Sequence, residues 1–326
     1  ATLGRSAPET LIGSCAPGTS HTNGAPFLFN DLQINQILEQ KIVKNQEYKY
    51  NFPSWLINKL KQEYPSRYAE IISNSNLIPK LGLRVNIAKI SLNDYIALLT
   101  KNSIAFELID NKIVLIQAIR IEQIPLFSEG YVSVQDISAQ KLIELINPRD
   151  GDYILDACSA PGGKSCQVLE NAKIKLLSCD IETRRLKKVE QNLQRLGLSA
   201  ITLQADATKS DWWDECLFDI IIADVPCSAS GTLKRNPDIK IHLLNKDIGH
   251  LVLTQRNIVS NLWNMLKPGG KLVYITCSIF REENHDNIQF FQQQLTNMQV
   301  LNELNILPTP YSDGFYYAVL AKLNNC

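Results

Sequence analysis

The sequence predicts an α/β protein, with a Rossmann-like, doubly wound parallel sheet in its C-terminal part and a smaller α+β unit ahead of it. Three observations carry this. After Gly151, apolar runs of strand length alternate with helix-like stretches, the sequence form of a parallel sheet flanked by helices. A glycine-rich turn, "SAPGGK", joins the first such run to the first helix. Four successive runs carry an aspartate at or near their ends: Asp156, Asp180, Asp206 and Asp224.

The elements follow in order. Residues 1–26 are rich in Gly, Ser, Thr, Ala and Pro without periodicity and read as disordered or foreign to the fold. With no initiator Met, the chain reads as a fragment or an altered form of a longer protein. A helix-like pattern runs through "NDLQINQILEQKI". A second helix starts near Pro53, with Ser54 as its cap and Trp55, Leu56 and Leu60 on one face. "LGLRVNI" alternates like a strand, "SLNDYIALLTKN" is a capped helix, and "IAFELID" and "NKIVLIQ" are strands joined by a turn at Asp110 and Asn111.

Beyond Gly151, "YILDACSA" is the first strand of the sheet and "GGKSCQVLENA" its helix. "KLLSCD" is the second strand, followed by the helix "ETRRLKKVEQNLQRLG" closed by Gly197. "AITLQAD" and "FDIIIAD" are strands three and four. "KLVYITC" is strand five, introduced by a turn at "KPGG", and "DGFYYAVLAKL" alternates like an edge strand or terminal hairpin. The domain reading is an N-terminal segment over 1–50, disordered or a remnant, a small α+β subdomain over 51–135, and the Rossmann-like domain over 136–326. No internal repeat is present.

A length of 326 residues fits two domains. No apolar run reaches the roughly 18 residues of a membrane span, and the front shows no secretory signal pattern. The eight cysteines include no Cys-x-x-Cys pair, which argues against a zinc or iron-sulfur site and against a disulfide scaffold. Reduced thiols in a cytoplasmic enzyme fit best. The formal net charge of zero gives no whole-protein case for nucleic acid. The basic stretches "RRLKK" (184–188) and "LKRNPDIK" (233–240) are local candidates for phosphate contact.

In a doubly wound sheet, ligands bind at the carboxyl ends of the strands. The turn "DACSAPGGK" matches neither the dinucleotide pattern nor the nucleotide P-loop. Its glycines Gly162 and Gly163 are expected to let a ligand approach the backbone, with Pro161 stiffening the turn. A carboxylate at the end of strand two suits ribose hydroxyls, so Asp180 is the expected ribose ligand and Asp206 the candidate for the adenine end. Together these favour an adenosyl ligand.

Two strand ends carry a Cys-Ser pair, in "DVPCSASGT" and "KLVYITCSIF". A strand-end cysteine is more commonly packing than catalysis, but its repetition beside Ser and near an aspartate is hard to explain that way. C5 of cytosine is a poor nucleophile, and methylating it requires prior attack on C6 by a soft nucleophile such as a thiolate. Charge then builds at N3, where a protonated carboxyl such as Asp224 could serve. A second thiol could help release the product. The chemistry alone leaves open whether Cys227 or Cys277 attacks.

The segments "LDACSAPGGK", "CDIETRRL", "ADVPCSASGTLKRNPDIK" and "YITCSIFREEN" resemble the motifs of the bacterial Sun/Fmu-type ribosomal RNA cytosine-5 methyltransferases, the RsmB family. The likeness runs from "FPSWL" through "GYVSVQDISAQ" to "DGFYYAVLAKL". It implies a class I S-adenosylmethionine-dependent methyltransferase domain with an N-terminal RNA-binding subdomain. By the same resemblance Cys277 is the nucleophile and Cys227 promotes release. S-adenosylmethionine would be held by Cys158, Ser159, Ala160, Pro161, Gly162, Gly163 and Lys164, with Asp180, Asp206 and Asp224 completing the site. Lys164 would face the catalytic pocket and Arg185 would lie near the ribose.

The implied activity is formation of 5-methylcytosine in 16S ribosomal RNA, at cytosine 967, through a covalent cysteine-C6 adduct. The partner is then RNA, with small-subunit ribosomal RNA the first candidate, and no metal, membrane or oligomer is required. A transfer RNA substrate is the runner-up, and a non-catalytic RNA-binding assembly factor is the competing class. Two departures stand out. Only about fifty residues precede "FPSWL", where the family has a helical NusB-like domain, so most of that domain is expected to be missing or replaced. Arg281 stands where relatives often have proline, a change expected to be harmless.

Overall fold

Short helices lead into the chain described by the computed structural model, which covers residues 45–324. The expected helix in "NDLQINQILEQKI" and the reading of residues 1–26 lie outside the described residues. Helices α1 (Gln46–Tyr50), α2 (Ser54–Glu63) and α3 (Tyr68–Ser75) come first. Ser54 does not cap α2: Pro53 holds the cap position, and the Ser54 amide donates to Glu47 Oε1 at 2.7 Å. Leu56, Ile57 and Leu60 of α2 and Ile71 and Ile72 of α3 share one apolar cluster with Leu233, Ile248, Val252, Ile279 and Phe280, all from the C-terminal half.

The small sheet contains β1 (Leu81–Val85), β2 (Phe106–Ile109), β3 (Lys112–Leu115) and β4 (Val132–Val134) in the order β2-β3-β1-β4, all antiparallel. Helix α4 (Leu92–Lys101) covers it and is capped by Ser91, whose hydroxyl accepts from the Asp94 amide at 3.1 Å. Asp110 and Asn111 turn β2 into β3 with positive φ of 49° and 58°, which these two residue types tolerate. Leu83, Tyr95, Leu99, Ile113, Leu115 and Val132 form its core.

After α5 (Leu142–Ile146) comes the large sheet, in the order β10-β11-β9-β8-β5-β6-β7. Strands β5 (Tyr153–Asp156), β6 (Lys175–Asp180), β7 (Ile201–Gln204), β8 (Phe218–Asp224) and β9 (Leu266–Thr276) are mutually parallel. Strands β10 (Met298–Ile306) and β11 (Phe315–Lys322) add an antiparallel hairpin beside β9. The strand order reverses at β5 and β8, where a doubly wound sheet opens its ligand crevice. Helices α6 (Gly163–Leu169), α7 (Thr183–Leu196), α8 (Ile239–His242), α9 (Asp247–Asn264) and α10 (His285–Gln294) complete the chain.

The central strands are apolar on both faces because both are covered. Leu155, Ile221, Leu272 and Ala318 pack on one side, and Ile154, Ile220, Ile222, Val273 and Ile275 on the other. Burying each large aliphatic chain contributes roughly 1.5–3 kcal/mol. Helix α7 buries Leu186, Val189, Leu193 and Leu196 at helical spacing and ends at Gly197 in the left-handed conformation, φ 70°.

Three sequence expectations need correction here. "KPGG" does not precede β9 as a turn; it lies within the strand as an irregularity, where Phe218 pairs with Leu266 but Ile220 with Lys271. Of the two readings of the last strand, the terminal hairpin holds, since β11 pairs antiparallel with β10, and the edge does not: β11 sits between β9 and β10, buried along most of its length, and the edge strand is β10. The basic stretch 233–240 is largely turned inward. Lys234 is 7% exposed with its ammonium on the carbonyls of Thr309 and Ser312, and Arg235 pairs with Asp313 and Asp136.

Candidate active site

Strands β8 and β9 run parallel in register, with Asp224 opposite Ile275, so the residues that follow each strand emerge side by side. Cys227 and Cys277 therefore converge, with their sulfurs 3.4 Å apart. The Cys277 carbonyl accepts from the Gly231 amide at 2.9 Å, and the Gly231 carbonyl from the Gly314 amide at 2.8 Å. There is no room for a side chain at Gly231: a Cβ would lie 2.4 Å from the Gly314 carbonyl oxygen and 2.8 Å from that of Cys277. The contact with Cys277, and then burial, push the Cys227 thiol well above its ordinary range, so Cys227 keeps its proton.

Lys164, in the first turn of α6, donates to Asp224 Oδ2 at 2.6 Å. Burial acts to lower the Lys164 pKa, but the adjacent Asp224 carboxylate outweighs it, with Asp156 and Cys277 adding in the same direction, and the net shift is upward. The ammonium is thus kept charged next to the thiols. Beneath it, Asp156 is fully buried; it accepts from the Ser165 hydroxyl at 2.6 Å, and its Oδ1 has no hydrogen-bond partner. Burial raises this carboxyl to about 7.

A cleft of about 300 Å³ opens at the carboxyl ends of the parallel strands. Cys158 and Ala160 follow β5, Asp180 ends β6, Asp206 follows β7, Asp224 ends β8, and Cys227 and Cys277 close one end of the cleft. Asp180 is 2% exposed; its Oδ2 accepts from the Ala160 amide at 3.2 Å and its Oδ1 from the Glu182 amide at 3.1 Å, which fixes the carboxylate. Arg185 lines the same wall, 3.7 Å from Asp180 Oδ1, and donates to the Ala160 carbonyl at 3.1 Å. The Thr208 hydroxyl and amide bind Asp206 Oδ1 and hold that carboxyl below its usual range, against a smaller opposing effect of burial.

The residues of the glycine-rich turn divide. Cys158 and Ala160 line the cleft, whereas Ser159, Pro161, Gly162, Gly163 and Lys164 do not. At Gly162, φ is 97° and a Cβ would meet Val189 of α7 at 3.1 Å, so glycine here serves helix packing and the turn. Ser159 is buried and shapes the turn through its backbone, its carbonyl accepting from the Gly162 amide at 2.7 Å. Sequence reasoning missed Ile181, Ala207, Thr208, Val225, Thr254 and Ile258 on the cleft wall. Ile181 could have been found as the neighbour of Asp180, but Thr254 and Ile258 reach the cleft from α9 by tertiary packing alone.

The donor set fits an adenosyl sulfonium compound. A fixed, buried carboxylate faces a cleft with apolar walls from Ile181, Val225 and Ile258, and the thiols stand at its far end. Among the described residues, no cluster of three His, Cys, Asp or Glu side chains could hold a metal ion, and no helix is long and apolar enough to cross a membrane.

Comparison with known proteins places the site in context. Residues 143–321 match the family model described as 16S rRNA methyltransferase RsmB/F, and residues 52–124 match the ferredoxin-like domain of the same group. The chain is 42% identical over 294 residues to ribosomal RNA small subunit methyltransferase B of Shewanella oneidensis, covering 86% of this chain and 69% of that protein. It is 41% identical over 321 residues to the protein of that name from Proteus mirabilis, covering 96% and 76%. Among solved structures, a methyltransferase homologue from Pyrococcus horikoshii superimposes with a TM-score of 0.75 at 25% identity, over 85% of this chain and 97% of that one.

Proposed function

The chain belongs to the RsmB/F family of 16S rRNA methyltransferases, and from that premise we propose that it uses S-adenosylmethionine to methylate C5 of a cytosine in 16S ribosomal RNA, at position 967. It is an RNA methyltransferase. One observation supports the cytosine-5 chemistry, two thiols 3.4 Å apart at the end of a cleft whose other wall presents Asp180, whereas the position follows the family resemblance alone.

The bound cofactor would supply an electrophilic methyl group. Asp180 would accept from the ribose hydroxyls through its remaining lone pairs, with Arg185 beside it, and Asp206 would lie toward the adenine end. The target base would have to leave its stack to reach the thiols. Cys277, as thiolate, attacks C6 and forms a carbon-sulfur bond, the C5–C6 double bond being used as C5 becomes nucleophilic. Asp224, expected from the sequence as a protonated carboxyl at N3, pairs with Lys164 instead, and the hydrogen bond where negative charge develops on the pyrimidine is assigned to the charged Lys164. The methyl group would bond to C5 as its bond to the donor sulfur breaks; solvent then takes the C5 proton, that electron pair re-forms the C5–C6 double bond, and Cys277 leaves C6 as thiolate with the electrons of the carbon-sulfur bond. Cys227, still protonated, stands against the departing sulfur and promotes that release.

The small sheet is proposed as part of the RNA platform. Its Arg84 reaches across to α6, with Nη1 donating to the Gly163 carbonyl at 2.8 Å and both Nε and Nη2 donating to Glu170, so RNA held there is rigidly referred to the active-site turn. The test is transfer of labelled methyl from S-adenosylmethionine to 16S rRNA lacking the modification, followed by mapping of the labelled base. Label on C5 of cytosine 967 supports the reading; label confined to another RNA or another base overturns it.

A further inference from the structure

The residue after each active-site cysteine is serine, and both serines bind one buried carboxylate. Glu283, in the segment between β9 and α10, is 0% exposed. Its Oε2 accepts from the hydroxyls of Ser228 and Ser278, each at 2.5 Å, and its Oε1 from the Ser228 amide at 2.8 Å and Gln255 Nε2 at 2.9 Å. Gln255 also donates to the Pro226 carbonyl at 3.0 Å, so the segment carrying Cys227 is gripped on both sides of the thiol. Ser230 closes the network, lying 3.0 Å from both serine hydroxyls.

No Lys or Arg pairs with Glu283 among the described residues; hydrogen bonds alone compensate its burial. A buried carboxylate is costly unless its oxygens are satisfied, and a fully satisfied network fixes a single geometry. Glu283 does not line the cleft. What it does join are two loops from separate strands, at the residues adjacent to the two sulfurs. Its charge also acts, after the larger effects of Cys277 and burial, to keep Cys227 protonated.

We propose that Glu283 is the positioning residue of the thiol pair: one carboxylate, through Ser228 and Ser278, sets the spacing at which Cys277 attacks and Cys227 assists release. The proposal rests on the roles given above to the two cysteines. It explains the Cys-Ser repeat at the two strand ends: the cysteines face the chemistry and the serines face the clamp.

The test is single-turnover methyl transfer from S-adenosylmethionine to unmodified 16S rRNA by the full chain, comparing wild type with Glu283→Gln, which keeps the shape but removes the charge and half the acceptor capacity. A misplacement of about 1 Å can cost on the order of 100-fold in rate. The expected result is a rate constant slower by about 10- to 100-fold at unchanged amplitude, with S-adenosylmethionine affinity within about twofold of wild type and adduct persisting after transfer. A wild-type rate constant at reduced amplitude means that Glu283 merely maintains the folded fraction, and overturns the proposal. Should Glu283→Gln fail to fold, Ser278→Ala removes one tie only; a slower rate constant supports the clamp and an unchanged one overturns it. Methyl transfer surviving Cys277→Ala would defeat the adduct reading instead, and the clamp would still be judged on the Glu283→Gln rate constant.

Discussion

The sulfurs of Cys227 and Cys277 stand 3.4 Å apart although fifty positions separate them in the chain. Their meeting follows from the parallel register of β8 and β9, which brings Asp224 level with Ile275 and leaves both loops to emerge at the same edge of the cleft. The consequences can be tested on the cofactor wall, the backbone of the site, the tie to the small sheet and the buried acid beneath it.

Asp180→Asn should weaken S-adenosylmethionine binding by roughly 10- to 100-fold, the range for losing charged hydrogen bonds of about 1.5–3 kcal/mol. Asp206→Asn should cost less, because that carboxyl is more exposed and already engaged by Thr208. Calorimetric titration of the cofactor into each folded variant checks the order; equal losses would contradict the assignment of Asp180 to the ribose.

Gly231→Ala should destabilise the protein by about 1–3 kcal/mol or more, as overpacking does, because its Cβ would lie 2.4 Å from the Gly314 carbonyl oxygen. The damage falls on the backbone that holds Cys277, so activity should drop in the fraction that still folds. Urea denaturation and specific activity per folded molecule are the measurements.

Arg84→Met leaves Glu170 buried without its cation. Breaking one side of such a pair typically costs about 3–5 kcal/mol, and both side chains are under a tenth exposed. The double variant Arg84→Met, Glu170→Leu should recover much of that loss, since the uncompensated charge is then gone. A double variant as unstable as the single one would contradict this account.

Asp156 gives a pH signature with a definite sign. Its carboxyl is raised from 3.8 to about 7, chiefly by burial, so between those values the native protein holds a proton that the unfolded chain has released. Native stability therefore loses this contribution as pH rises through the window and levels off above about 7. Asp156→Asn cannot ionise. Its stability relative to wild type should increase from about pH 5 to about pH 8; a difference independent of pH would show that the carboxyl titrates normally.

Much of this arrangement is legible in the amino-acid sequence. Apolar runs ending in aspartate locate β5, β6 and β8, the Asp110-Asn111 turn and the Gly197 cap mark their elements, and the repeated Cys-Ser pair marks the two loops whose sulfurs meet. Polar strands and buried charges are harder. Strand β10 escapes because "MQVLNELNI" is half-exposed at the sheet edge and lacks clean alternation. Helix α9 goes unnoticed although Ile248, Val252, Gln255, Val259 and Leu262 follow helical spacing; Gln255, fully buried, interrupts the apolar stripe because it serves the Glu283 network.

The same difficulty explains the basic stretch at 233–240 and the glycine turn. Nothing in "LKRNPDIK" says that Asp136 and Asp313, far away in sequence, will pair with Arg235 and turn those charges inward. Nor does "APGGK" reveal that Gly162 faces Val189. Both depend on partners supplied only by the tertiary fold. Glu283 belongs to this group as well: it lies in the "YITCSIFREEN" motif, but its role becomes visible only when Ser228 and Ser278 are seen on one carboxylate.

The most direct measurement of the central claim is denaturing-gel detection of a covalent protein-RNA adduct. Wild type, Cys227→Ala, Cys277→Ala and the double variant would each be incubated with S-adenosylmethionine and 16S rRNA lacking the modification. The account predicts a shifted band that persists in Cys227→Ala and is absent from both variants lacking Cys277. A persistent band in Cys277→Ala, lost when Cys227 is also removed, would contradict it and exchange the roles of the two thiols.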